Sequence, residues 1–105
     1  MEKPNMHYID DLAGDDAPFR QKLVAILKDE LPREIADYKD SLANGNLRGA
    51  AESVHKLKHK ISLLGMEKSY YIAEEFEVNL KEGSTILKDD FDAILVTMQN
   101  FAEEL

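Results

Sequence analysis

Cysteine is absent from this chain of 105 residues, and glycine and proline are scarce, with five and three residues. Without thiols the chain forms no disulfide, has no thiolate nucleophile and offers no cysteine-based zinc site. The scarcity of helix-breaking residues, beside abundant leucine, alanine, glutamate and lysine, is typical of a helical protein. No apolar run approaches the length that spans a membrane, and the first residues lack the apolar stretch of a secretory signal, so we expect a cytoplasmic protein.

Sequence motifs of nucleotide-dependent and hydrolytic enzymes are missing as well. The chain contains no glycine-rich phosphate loop, no GxSxG elbow and no HExxH helix. Its length suits one domain, residues 1–105, and a hydrophobic fraction of 44% suits a globular core. We therefore expect one folded domain that does not carry out nucleotide-driven chemistry by itself.

Negative charge dominates the chain, but positive charge is concentrated in one segment. The net charge is −8, which argues against nucleic acids and anionic membranes as partners because an acidic surface repels both. Residues 46–64 nevertheless carry a net charge of +3, from Arg48, Lys56, Lys58 and Lys60 against Glu52. A solvated helix face would explain this segment, and so would a binding surface for an acidic partner.

Apolar residues recur at intervals of three and four along most of the chain, a spacing that predicts amphipathic helices. The stripe from Phe19 to Leu42 continues across Pro32, which predicts one kinked helix. We predict an all-α fold, an antiparallel up-down four-helix bundle with a short extra N-terminal helix. The predicted helices span residues 8–13, 16–43, 46–64, 67–82 and 87–104.

The helix predicted at residues 46–64 carries the residues most able to do chemistry. Its buried face is predicted to contain Leu47, Ala50, Val54, Leu57, Ile61 and Leu64. At about 100° per residue, His55 lies roughly 135° from that face and points to solvent, with Lys58 and His59 one turn further along. Nearby cations favour the neutral imidazole, which keeps a free lone pair, and they would attract a bound phosphoryl group.

These residues resemble the signature of the histidine-phosphotransfer (HPt) domain family of phosphorelay signalling. In that family the acceptor histidine is followed three residues later by lysine, then by glycine, with another glycine ten residues after the histidine. His55, Lys58 and Gly65 match those positions, and Leu57 fits between them. His59 departs from the pattern because it stands where the family has the first glycine. Its bulk puts easy access to His55 in doubt, although its ring could donate to phosphoryl oxygens.

The resemblance implies a phosphorelay intermediate rather than an enzyme. His55 would accept a phosphoryl group from a receiver-domain aspartate and pass it to another receiver, while Lys58 neutralises phosphoryl charge and Gly65 has a structural role. No cofactor is implied in this chain, since Mg²⁺ would reside on the receiver. The expected partners are response-regulator receivers and a hybrid sensor kinase, the expected state is a monomer, and the expected docking residues are Arg48, Lys56, His59, Lys60 and Ser62.

Three other interpretations of the same residues stay open. His55 and His59, spaced i, i+4, could hold a metal, although the surrounding lysines oppose a bound cation. His59 could itself be the phosphoacceptor. The domain could also be a non-catalytic helical interaction module that docks onto receiver domains or other signalling partners.

Overall fold

The computed structural model describes residues 2–105, and within them the regular secondary structure is entirely helical. The helices are α1 (His7–Ala13), α2 (Ala17–Ala43), α3 (Leu47–Leu63), α4 (Glu67–Lys81) and α5 (Lys88–Glu103). Every helix end lies within one residue of its predicted position. The all-α prediction is therefore confirmed, and α2 passes through Pro32 as a single helix.

Two helix starts are fixed by side chains that cap them. The Asp16 carboxylate accepts a hydrogen bond from the Phe19 backbone N–H, at the start of α2. The Asn46 side chain accepts from the Gly49 N–H at 2.9 Å, at the start of α3. Each bond satisfies a backbone donor that the first turn of a helix leaves without a partner.

Helix α3 lies at the centre of the fold, packed against α2 on one side and α4 on the other. Its predicted inward face is buried, with Ala50, Val54, Leu57, Ile61 and Leu64 each fully inaccessible to solvent. The other helices contribute an aromatic cluster, in which the ring of Tyr38 makes edge contacts with Phe76 and Phe91. The exposed face of α3 is thus held rigidly by a core on its opposite side.

The segment before α1 fastens the turn between α3 and α4. The Asn5 backbone N–H donates to the Leu64 carbonyl at 2.8 Å, and the Glu2 carboxylate accepts from two N–H groups in the first turn of α4. Gly65 has φ +72° in this turn, and a Cβ there would lie 2.6 Å from the Asn5 side chain. The positive φ favours glycine at this position, and any larger residue would also have to displace the Asn5 side chain.

One part of the predicted α2 stripe is less covered than its spacing suggested. Leu27, Leu31 and Ile35 are buried, but Phe19 and Ile26, nearer the start of the helix, are each 40% exposed. At 27 residues α2 is much longer than its neighbours, so its first turns extend beyond them. The molecule is correspondingly elongated, measuring 45 × 23 × 19 Å.

Candidate functional site

His55 projects from α3 into solvent, as the helical spacing predicted. Its side chain is 54% exposed, although Val54 beside it and Leu57 two positions on are fully buried. The imidazole is therefore accessible to a partner molecule while its backbone is anchored in the core.

A carboxylate from the neighbouring helix holds one nitrogen of this imidazole. His55 Nδ1 lies 3.3 Å from the carboxylate of Glu77, which reaches it from α4. An ionised carboxylate only accepts hydrogen bonds, so Nδ1 carries the proton in this contact. In the neutral ring the lone pair is then on Nε2, which the Glu77 contact leaves unoccupied.

Glu77 is the centre of a small charged cluster between α3 and α4. Its side chain is 12% exposed, and its oxygens lie 3.1 Å from Lys58 Nζ and 3.3 Å from Lys81 Nζ. Burial alone would raise the pKa of the Glu77 carboxyl, but the hydrogen bonds from Lys58 and His55, the charge of Lys58 and the bond from Lys81 outweigh it and lower that pKa. The carboxylate therefore stays ionised beside two lysines, and the cluster is positive by one charge when His55 is neutral.

Lys58 is placed differently from the exposed cation that the sequence suggested. Its side chain is 11% exposed, its ammonium group is bound to Glu77, and Nζ lies 5.6 Å from the centroid of the Tyr70 ring. Lys58 lies one turn after His55 on α3, as predicted, but α4 covers its side chain. Its charge therefore acts on His55 chiefly through the carboxylate that they share.

Lys81 is a cation beside His55 that the sequence analysis missed. Its side chain is 60% exposed, and it lines an open cleft together with His55, Lys56 and Glu77. The spacing of Glu77 and Lys81, i to i+4 on one helix, was the available signal for this ion pair. Nothing local in the sequence indicated that the pair meets α3.

Among the remaining predicted docking residues, three are exposed and one, Lys60, is paired with carboxylates of a neighbouring helix. Arg48, Lys56 and Ser62 are exposed, as expected for a surface that meets a partner. Lys60 differs, because its side chain is 12% exposed and its Nζ lies 2.9 Å from Glu30 and 3.3 Å from Glu34 of α2. Position 60 faces α2 rather than solvent, so the charge of Lys60 joins two helices instead of forming part of the outer surface.

An aromatic cleft opens on the other side of the histidine face. It has a volume of about 380 Å³, and its lining includes His59, Ser62 and Gly65 with three tyrosines, Tyr8, Tyr70 and Tyr71. His59 also contacts the acceptor candidate directly: the ring centroids of His55 and His59 are 5.1 Å apart and the planes are nearly perpendicular, at 87°. The bulky ring in place of the family glycine thus lies against the His55 imidazole.

Residues 2–105 contain neither a candidate metal-ion site nor a candidate membrane-spanning helix. Within that range, no group of three or more histidine, aspartate or glutamate side chains is arranged to hold a metal ion. In the same range, no helix combines the length and apolar character needed to cross a membrane.

Comparisons with protein-family models, with curated proteins and with solved structures found no match to this chain. The chemistry of the site therefore follows from its own residues. They provide an accessible imidazole with one nitrogen bound, two exposed lysines (Lys56 and Lys81) lining the same cleft, and open clefts on both sides. In its neutral form such a group can act as a nucleophile towards an anionic electrophile, because the lone pair is then on the free Nε2 and the two lysines attract the anion.

Proposed function

We propose that this domain is a phosphoryl carrier of the histidine-phosphotransfer type, with His55 as the phosphoacceptor. The observation that carries the proposal is the pairing of an exposed imidazole with the buried Glu77 carboxylate on Nδ1. That pairing favours the tautomer in which Nε2 is the nucleophile, and it leaves Nε2 accessible to a partner. The match of His55, Lys58 and Gly65 to the family signature supports the same function.

In the proposed reaction, the Nε2 lone pair attacks the phosphorus of a receiver's aspartyl phosphate. An N–P bond forms, the P–O bond to the aspartate breaks, and its electron pair leaves with the aspartate carboxylate. The proton stays on Nδ1 and is donated in a hydrogen bond to Glu77, whose negative charge offsets the positive charge that the imidazole ring acquires. Attack by a second receiver's aspartate reverses these bond changes, and Mg²⁺ held by the receiver would supply charge stabilisation for the transferring oxygens.

The surface around His55 suits an acidic partner. A receiver pocket that binds Mg²⁺ is rich in carboxylates, and Lys56, Lys81 and Arg48 are exposed cations on or near the His55 face. These charges would accelerate encounter in a salt-dependent manner. We propose a cytoplasmic monomer in which α2 to α5 form an antiparallel up-down bundle that presents this face to one receiver at a time.

Transfer from a phosphorylated receiver tests the proposal directly. A panel of receivers carrying labelled phosphate is incubated with the domain, and we expect an acid-labile, base-stable label to appear on it. His55→Gln should abolish the label without changing the helical circular dichroism spectrum. His7→Gln is the matched control, since His7 is also exposed and lies on α1.

Two results of that assay would change the assignment. A label that survives His55→Gln and is lost in His59→Gln would make His59 the acceptor. Absence of label on the unsubstituted protein with every receiver, under conditions where the receivers phosphorylate a known carrier, would refute phosphotransfer.

A second candidate function is a helical interaction module without phosphotransfer. It is favoured by exposed aromatic surface at the same face, where Tyr8 is 50% and Tyr71 is 60% exposed. This function predicts binding to a receiver, measured by titration calorimetry, that is unchanged by His55→Gln and weakened by Tyr71→Ala. The carrier function predicts label transfer as well as binding.

A further inference from the structure

The position one turn after His55 carries a second imidazole that the proposed acceptor chemistry does not use. His59 and His55 lie on the same exposed side of α3, with ring centroids 5.1 Å apart. A phosphoryl group on Nε2 would add three oxygens to an exposed ring that contacts the His59 ring edge to face. Those oxygens would be within hydrogen-bond reach of a donor on the His59 ring.

The nitrogens of His59 are available for such a bond. Among residues 2–105 the structure records only the ring contact with His55 for this side chain, whereas Nδ1 of His55 is held by Glu77. His59 is exposed and lines the aromatic cleft, so its ring has open space in which to adjust. In either tautomer a neutral imidazole offers one N–H donor, and the protonated ring offers two.

We propose that His59 is a phosphoryl-binding residue that stabilises the phosphorylated form of His55 by donating a hydrogen bond to the phosphoryl oxygens. This inference depends on the proposed function, because it requires phosphate on His55. The glycine that the HPt signature has at this position offers no side-chain donor. His59 would thus give this carrier a greater share of the phosphoryl group at equilibrium with a receiver.

Equilibrium and rate measurements distinguish this role from simple obstruction. A bulky side chain that hinders docking slows transfer in both directions equally and leaves the equilibrium constant unchanged. A donor that binds only the phosphorylated form changes the equilibrium constant itself. A hydrogen bond to an anionic group at an exposed site is expected to change it about 3- to 10-fold.

The experiment measures the equilibrium distribution of labelled phosphate between the domain and a competent receiver, for the unsubstituted protein and three variants. His59→Phe keeps an aromatic ring but has no nitrogen, His59→Gly restores the family residue, and His59→Gln keeps a neutral donor. We expect the ratio of phosphorylated to unphosphorylated domain to fall about 3- to 10-fold in the Phe and Gly variants. The Gln variant should largely retain the original ratio. Thermal unfolding checks that all four proteins are equally folded.

Three outcomes would contradict the inference in different ways. Equal equilibrium constants for all four proteins, with faster transfer in His59→Gly, would make His59 an obstacle and leave the carrier function intact. A loss in His59→Gly alone, with His59→Phe unchanged, would assign the effect to ring packing rather than to a hydrogen bond. If no donor places phosphate on His55, neither a receiver nor the small phosphodonor phosphoramidate, the carrier function and this inference are both overturned.

Discussion

Glu77→Gln is the substitution that most directly tests the charged cluster beneath His55. It keeps the size of the side chain and an oxygen that can accept from His55 Nδ1, but it removes the negative charge. The Lys58 ammonium, on a side chain only 11% exposed, then loses its counterion at 3.1 Å. A buried charge without a partner is destabilising, so the Lys58 side chain must move outwards until its ammonium group reaches water.

The expected cost is set by the burial of this pair. Removing one partner of a fully buried ion pair costs about 3–5 kcal/mol, whereas exposed pairs contribute about 1 kcal/mol or less. Because Lys58 is near the protein surface and has a flexible side chain, we expect Glu77→Gln to lower the free energy of unfolding by about 2 kcal/mol. For a domain of this size that corresponds to a melting temperature about 8 °C lower. Urea denaturation at pH 7, followed by circular dichroism, measures the free energy.

Matched variants separate this effect from a change in net charge. Glu75→Gln removes the same charge from an exposed position on the same helix and should change stability by about 0.5 kcal/mol or less. Lys58→Met combined with Glu77→Gln should recover part of the loss, since no uncompensated ammonium then remains. Equal stability of the Glu77→Gln and Glu75→Gln proteins would refute the argument from the buried pair.

Three further predictions concern the same fold. The cationic partners of Glu77 lower its pKa against the effect of burial. Its contribution to the free energy of unfolding should therefore be fully present above the usual glutamate pKa of 4.5 and lost as the pH falls through the lower pKa of the folded state. An equal loss of stability at low pH in Glu77→Gln would contradict this. Gly65→Ala should cost about 2 kcal/mol in urea denaturation, and Gly83→Ala about 1 kcal/mol, because both glycines have positive φ. Only the alanine at position 65 would also displace a neighbour, the Asn5 side chain, which accepts a hydrogen bond from the His7 N–H. Equal costs would show that this contact is unimportant. Leu57→Asp should lower the free energy of unfolding by about 4 kcal/mol or more and unfold much of the protein, because it places a carboxylate at a fully buried position. A circular dichroism spectrum typical of the folded protein would show that position 57 does not face the core.

The direction in which His55 points could be predicted because it depends on only one helix. Buried residues at intervals of three and four define the inward face of α3, and the rotation per residue then places His55 outside it. Capping residues such as Asn46 similarly act within one turn. Interactions of this range are encoded in neighbouring positions, so the helix bounds could be read with an error of one residue.

The partners of the lysines could not be predicted in the same way. Lys58, Lys60 and Lys56 are close neighbours in sequence, but the first is bound by α4, the second by α2, and the third is exposed. Their different surroundings follow from the angular positions of the three residues relative to two packed helices. A charge count along the segment overestimates its free positive charge, because two of these lysines are neutralised by carboxylates.

The sequence by itself determined that the chain is helical, where its helices begin and end, and which side of α3 carries His55, because each of these follows from local periodicity and capping. Only the tertiary structure decided that Glu77, 22 positions away, binds Nδ1 of that histidine and leaves Nε2 free. The same packing buried Lys58 and left Lys81 exposed beside the imidazole. Contacts between helices depend on how their faces are brought together, and that arrangement is a property of the whole core rather than of any one segment.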